Sequence, residues 1–245
     1  MYRMVVMIRK NLLNRYKFVF VFIFALVFYS SCAQTEKARE RMKTEPAAAL
    51  ESICKIGDSI KEVTGMIYLT ADSQETKGKF PAALKASPGE LNMEVIDPIG
   101  RPQAKVKVKN GKFWVRVPSK RKTYRGQETW GGIPLRWSPE LLLGRFPCPD
   151  LEKGKIRWQD EGAALEWVSN DGTGEKYSYT ITEENNAPWP SQLRWSISSR
   201  GESDQALWVE FRFFKPEEST GSPLKWAAES DKGKVTVLWG DRKIN

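Results

Sequence analysis

Leu91 to Val108, LNMEVIDPIGRPQAKVKV, sets two stretches of alternating side chains on either side of Asp97-Pro98-Ile99-Gly100. Leu91, Met93 and Val95 alternate with Asn92, Glu94 and Ile96 before the turn. Ala104, Val106 and Val108 alternate with Lys105, Lys107 and Lys109 after it. A period of two puts each set on its own face of a half-buried strand. Proline fixes its own φ and glycine permits a turn, so the four residues predict a tight connection that throws its third side chain outward. Ile99 is then an aliphatic residue at the tip of a polar turn; the alternative is that it folds back onto the sheet.

The same period extends in both directions. Met66, Tyr68 and Thr70 precede the hairpin, and Phe113, Val115 and Val117 follow it. Further along come Ile156 and Trp158, Leu165 and Trp167, and Tyr177, Tyr179 and Ile181. Leu193, Trp195 and Ile197, then Leu207, Val209, Phe211 and Phe213, and finally Val235, Val237 and Trp239 complete the series. Turn signals at Asn110-Gly111, Asp171-Gly172, Gly201 and Lys232-Gly233 separate them. About ten or eleven antiparallel strands in one meandering sheet is the economical reading.

Two short helices interrupt the strands. Thr44-Glu45-Pro46 predicts a helix start, and Ala47, Leu50, Ile53 and Cys54 recur at helical spacing toward an end near Gly57. Ser138 can cap a second helix that opens with Pro139 and Glu140 and runs through Leu141, Leu142 and Leu143 to Gly144. Three consecutive leucines cannot share one stripe. That helix is either buried all round or lies across the mouth of a cavity.

The amino terminus has a different character. Phe18 to Tyr29 is an unbroken apolar run of twelve residues after a basic stretch ending at Lys17. As a helix it rises about 18 Å, short of the roughly 30 Å hydrocarbon core, which fits the apolar region of an export signal. Ser30-Ser31-Cys32-Ala33 resembles a bacterial lipobox, in which the Cys32 thiol is acylated and becomes the new amino terminus; the alternative is an ordinary cleaved signal. Residues 1–31 are thus expected to be a lipoprotein signal, 32–44 a lipidated tether and 45–245 the folded domain. Ala33, rather than aspartate, after the cysteine favours the outer membrane by similarity to enterobacterial sorting rules.

Composition narrows the chemistry. The chain has 39 Lys and Arg against 30 Asp and Glu, but five of the cations precede Cys32, and 34 against 30 gives no ground for a nucleic-acid partner. There is no histidine, which removes His-based acid/base catalysis, Ser-His-Asp and Cys-His triads and nearly every catalytic zinc site. Glu183-Glu184 and Glu217-Glu218 read as solvated loop charges, so no catalytic residue, metal or cofactor is expected. All ten Trp lie after Cys32, and an antiparallel sheet so rich in rings can either fill its concave face or leave it open to a ligand. Cys54 and Cys148 could form one disulfide in an oxidising compartment; two separate buried thiols is the preferred reading.

Asp97-Pro98-Ile99-Gly100 between two strands, then Gly132-Ile133-Pro134-Leu135, Leu142-Leu143-Gly144 and Pro147, together resemble the LolB outer-membrane lipoprotein receptors. The likeness in order covers roughly Ile53 to Val168, with Ile99 where that family usually has leucine. It implies an incomplete antiparallel β-barrel of about eleven strands, mainly β, with short helices covering a hydrophobic cavity. It further implies that acyl chains of a lipoprotein, delivered by a LolA-like periplasmic carrier, enter that cavity and pass into the outer membrane without covalent chemistry. Val106, Val108, Phe113 and Val115 would line the cavity, with Leu141 and Leu142 beneath or over it. Pro98, Ile99 and Gly100 would form a loop that enters membrane lipid. A monomer on the periplasmic face of the outer membrane is expected. A lipid or glycolipid carrier of related fold, and a structural envelope lipoprotein with a filled core, are the alternatives.

Overall fold

Thirteen strands form one antiparallel sheet in a computed structural model of the chain, which describes residues 44–245 apart from 74–76, 98, 110, 126–128, 131–132, 185–186, 199–206 and 215. Cys32, the signal and the tether, together with Pro98, Asn110 and Gly201, lie outside the described residues. The strands run β1 (Val63–Ser73), β2 (Lys77–Ser87), β3 (Glu90–Ile96), β4 (Pro102–Lys109), β5 (Lys112–Val117) and β6 (Lys122–Arg125). They resume with β9 (Gly154–Gln159), β10 (Ala164–Ser169), β11 (Lys176–Glu184), β12 (Ala187–Ile197), β13 (Leu207–Phe213), β14 (Lys225–Ser230) and β15 (Gly233–Ile244). Between the two groups, β7 (Thr129–Trp130) and β8 (Ile133–Pro134) form a separate two-stranded sheet.

The sheet order is β6-β5-β4-β3-β2-β1-β15-β14-β13-β12-β11-β10-β9. Two meanders therefore grow in opposite directions from a central pair, β1 and β15, in which Val63 faces Ile244 and Ser73 faces Gly233. An open twisted sheet rarely exceeds about ten strands without curling. This one leaves β6 and β9 as separate edges, so it is mainly β and not closed, with thirteen strands rather than the expected eleven or so.

The strands missed by alternation are informative. In β2, Ala82, Leu84 and Ala86 are buried and Ala83 and Lys85 exposed, but alanine carries little apolar contrast and Pro81 argues against a strand. Pairing with β1 on one side and β3 on the other holds it in place. In β14, Trp226, Ala227 and Ala228 are all buried, which erases the period altogether.

Two helices cover the concave face. Helix α1 (Pro46–Cys54) packs against β9 and β12, burying Ala49, Leu50 and Ile53. Helix α2 (Ser138–Leu143) packs against β2 and β3. Glu45 and Trp137 occupy the capping positions without side-chain bonds, and Ser138, the expected cap of the second helix, is already helical. Leu141, Leu142 and Leu143 are all buried, whereas Ser138 and Glu140 of the same helix are half-buried. It ends at Gly144, whose φ of +83° suits glycine, and where an added Cβ would lie 2.5 Å from Ser222 Cβ.

Cys54 and Cys148 form a disulfide with Cα atoms 5.9 Å apart, which corrects the preference for two free thiols. Helix α1 brings Cys54 against the start of β9, to which Cys148 leads through Pro149 and the single 3-10 turn Leu151–Lys153.

On the outer face, Glu166 of β10 is fully buried beneath the side chains of its neighbours. Arg157 Nη2 and Gln159 Nε2 each lie 2.5 Å from its Oε2, and Lys176 meets Oε1. Burial pushes this carboxyl up, but the hydrogen bonds and charges of Lys176 and Arg157 outweigh it and hold the group below the ordinary value of 4.5. A carboxylate lowered in the folded state contributes stability above its unfolded pKa and loses it as pH falls through the folded one. The melting temperature is therefore expected to fall as the solution is acidified below about pH 4.5, and Glu166→Gln should flatten that limb. Equal acid sensitivity in the two proteins, measured by thermal melts across pH, would contradict the assignment.

Candidate functional site

The β3–β4 turn is built around one carboxylate. Asp97 Oδ1 accepts hydrogen bonds from the Ile99 and Arg101 amides at 3.0 and 2.8 Å, and Oδ2 accepts from Arg101 Nε at 2.8 Å. The Asp97 carbonyl accepts from the Gly100 amide, and the Arg101 carbonyl from the Asp97 amide. The Arg101 amide bond, followed by the Arg101 side chain and the Ile99 amide, outweighs partial desolvation and holds the Asp97 carboxyl below its ordinary value. Gly100 has φ +81°, a conformation L side chains rarely adopt. The result is a fixed turn that leaves Ile99 73% exposed, more than any other large apolar residue described. Gly100 completes the backbone turn and is itself exposed.

The six residues expected to line a cavity all lie in or against one core cluster. Val106 faces Val115 and Val108 faces Phe113 across β4 and β5, which sets two adjacent pairs on the concave face. Val108, Phe113, Leu141 and Leu142 are buried, while Val106 and Val115 are half-buried. Leu141 and Leu142 reach the cluster from α2, above β2 and β3. The arm from β1 to β5 thus presents an aliphatic surface to the helices, with Val63, Ile67, Leu84 and Leu91 continuing it inward.

The other half of the concave face is aromatic, and this residue set was not legible from composition. Trp137 stands edge-on to Trp195, Phe211 and Tyr177, with centroids 5.2, 5.7 and 6.1 Å away. Phe146 meets Phe213 at 4.6 Å and Trp189 at 5.1 Å in the same geometry, which favours ring quadrupoles. Tyr177, Trp195, Phe211 and Phe213 occupy the inward positions of their alternating strands, which was the available signal. Side chains of the cover and the sheet are in contact across both halves, so the concave face is filled in this conformation.

A polar latch holds the cover down. Glu140 of α2 accepts from the Gly89 amide in the β2–β3 turn at 3.0 Å and pairs with Arg145 at 2.9 Å. Arg145 also donates to the Gly57 and Ile60 carbonyls at 3.2 and 3.0 Å, after α1. At the other end of α2, Arg242 of β15 donates to the Leu143 carbonyl at 2.9 Å. Beneath the aromatic half, Tyr179 Oη donates to the Pro147 carbonyl at 2.7 Å. Arg145→Met removes one donor from the Glu140 carboxylate and from the Gly57, Asp58 and Ile60 carbonyls, and a loss of about 1.5 kcal/mol is expected from a charged hydrogen-bond network of this kind. Urea unfolding checks it; an unchanged midpoint would remove Arg145 from the latch.

Glu217 is not the solvated charge expected: its Oε2 accepts from Thr220 Oγ1 at 2.7 Å and lies 3.5 Å from Arg242 Nη1. Glu218 is exposed. An open groove of about 650 Å³ runs beside them, with Phe214, Pro216 and Leu224 in its wall; it is remote in sequence from the strands expected to line a cavity.

No family model and no curated protein matches the chain. Solved structures do resemble it. A DUF1329 family protein from Desulfovibrio piger matches with a TM-score of 0.51 at 11% identity, over 82% of this chain and 94% of that one. A LolA superfamily protein from Nitrosomonas europaea gives 0.49 at 13%, over 82% and 94%. A domain described as an outer-membrane lipoprotein-sorting protein from Vibrio parahaemolyticus gives 0.47 at 12%, over 86% and 93%. At such identities the likeness is one of fold, and the Desulfovibrio piger structure carries it.

Proposed function

We propose that the chain is an outer-membrane lipoprotein of LolB-like type. It accepts the acyl chains of other lipoproteins from a periplasmic carrier and passes them into the bilayer. The observation that carries the reading is Ile99: an aliphatic side chain 73% exposed on a turn that six Asp97 hydrogen bonds hold in shape. Such a tip contributes nothing to the core and costs solubility, and it gains only where an apolar medium receives it.

The filled concave face fits this reading when the cover moves. Helix α2 is held by side-chain latches at Glu140, Arg145 and Arg242, whereas α1 is tied covalently to the segment that leads into β9. Swinging α2 away from β2 and β3 would uncover Leu84 and Leu91, an aliphatic bed suited to acyl chains. Transfer of this kind requires only a gradient of affinities, about 1.4 kcal/mol per tenfold at each step, and no catalytic group. The anchor at Cys32 belongs to the same reading.

Native mass spectrometry of the intact chain mixed with a triacylated lipoprotein tests it. A one-to-one complex that a non-acylated form of the same lipoprotein does not give is expected. Complexes with glycolipid alone would favour the lipid-carrier alternative. No complex with any acylated molecule would favour a structural lipoprotein with a permanently filled core.

A further inference from the structure

Between Pro98 and Gln127 the chain has ten Lys and Arg and not one Asp or Glu. Elsewhere after Ser31, 24 basic residues face 30 acidic ones, so a nearly balanced chain carries one strongly basic arm. Strand register decides where these charges go. Lys105 stands opposite Arg116, Lys109 opposite Lys112, and Lys107 opposite Trp114, which is opposite Arg125. Their alternate neighbours Val106, Val108, Phe113 and Val115 join the core, so these cations share the outer face of β4, β5 and β6.

Glu94 pairs with Lys105 at 3.1 Å and Glu90 with Lys109 at 2.9 Å. Among the described residues Lys107, Lys112, Arg116 and Arg125 have no ion-pair partner. Like charges directly opposite one another on a sheet destabilise it. Lys105 and Lys109 are offset by their glutamates, which leaves the facing Arg116 and Lys112, with Lys107 and Arg125, as uncompensated charge near the edge of the sheet. Register sets these cations around a half-buried Trp114, and β4 begins at the turn that exposes Ile99.

We propose that the outer face of β4–β6 docks on a membrane surface bearing anionic phospholipid headgroups. The inference rests on the reading of Ile99 as a tip that enters lipid, and it assigns the headgroup chemistry that would orient that tip. Cations repeated at strand spacing around an indole suit a fluid surface of phosphates, which can place an anion against each of them. Indole rings favour the headgroup level, and each Lys or Arg near an anionic surface is attracted independently of its partner's shape.

Hydrogen exchange on the intact chain in nanodiscs tests the proposal. With phosphatidylglycerol present, β4–β6 amides are expected to exchange about tenfold more slowly than in phosphatidylcholine alone, the effect of one to two cations at ~1 kcal/mol each. High salt and the exposed pair Lys107→Glu with Arg116→Glu should abolish the difference, whereas Ile99→Glu should leave it, because the charges act without the tip. Lys107→Gln with Arg116→Gln keeps the test open if charge reversal perturbs folding. Equal exchange in both nanodiscs overturns the proposal, and so does protection by a soluble acidic protein or heparin but not by anionic lipid. Cargo binding measured by mass spectrometry on the same samples separates the two readings: its loss counts against the acceptor function, not against the docking face.

Discussion

Replacing Cys54 and Cys148 together by alanine is expected to lower the unfolding free energy by about 2–5 kcal/mol. The bond closes a long loop, with 94 residues of separation, and the chain-entropy argument places loops of that size near the top of the range. For a domain of about 200 residues each kcal/mol shifts the melting temperature by about 2–4 °C, so a fall on the order of 10 °C should be seen in a thermal melt. The loss should be concentrated at α1 and the run from Phe146 to Lys153, which the bond joins. Trp195 and Phe211 lie on β12 and β13, which pair with each other, and the cluster they form with Trp137 should persist. An unchanged melting temperature with an intact thiol-free fold would show that the bond constrains nothing the core does not already hold.

The second expected result concerns the tip. Ile99→Glu should leave folding and cargo acceptance unaltered and slow cargo insertion into vesicles by about tenfold to a hundredfold. That range is what about 1.5–3 kcal/mol for burying an isoleucine side chain amounts to as a rate. Folding should be indifferent because Ile99 packs on nothing: its amide, not its side chain, is the part that Asp97 holds. A transfer assay that follows acceptance and insertion separately checks this. Insertion at the normal rate would remove Ile99 from the membrane step, and a lowered melting temperature would mean that the side chain supports the turn instead.

Sequence alone made the hairpin around Asp97 legible because contrast was high on both sides: Leu, Met and Val against Asn and Glu, then Val against Lys. It failed at β2, where alanine and Pro81 blur the period, and at β14, where three consecutive buried residues cancel it. The number of strands was therefore short, although the antiparallel class was right. The disulfide was undecidable because a separation of 94 residues says nothing of proximity until α1 is laid against β9. Leu141 to Leu143 defined two outcomes for their helix, and the structure buries all three leucines where the helix packs against β2 and β3.

The latch illustrates a different limit. Glu140, Arg145 and Arg242 look like ordinary surface charges in the sequence, and their importance arises only when three separate segments meet. Arg242 is 97 residues beyond Arg145, yet both act on α2, one at its carboxyl end and one through Glu140. The basic face is similar. Each lysine of KVKVK is the solvated alternate of a strand, and register rather than composition sets Lys109 against Lys112 and Lys105 against Arg116.

The central claim is that acylated cargo passes from a carrier through this chain into a bilayer. It is tested most directly by loading a soluble periplasmic carrier with a labelled triacylated lipoprotein, adding vesicles that hold the intact chain, and measuring label in the vesicle fraction. Label should reach vesicles that contain the chain and remain on the carrier when the vesicles lack it. Equal delivery with and without the chain, or label that never leaves the carrier, would contradict the account.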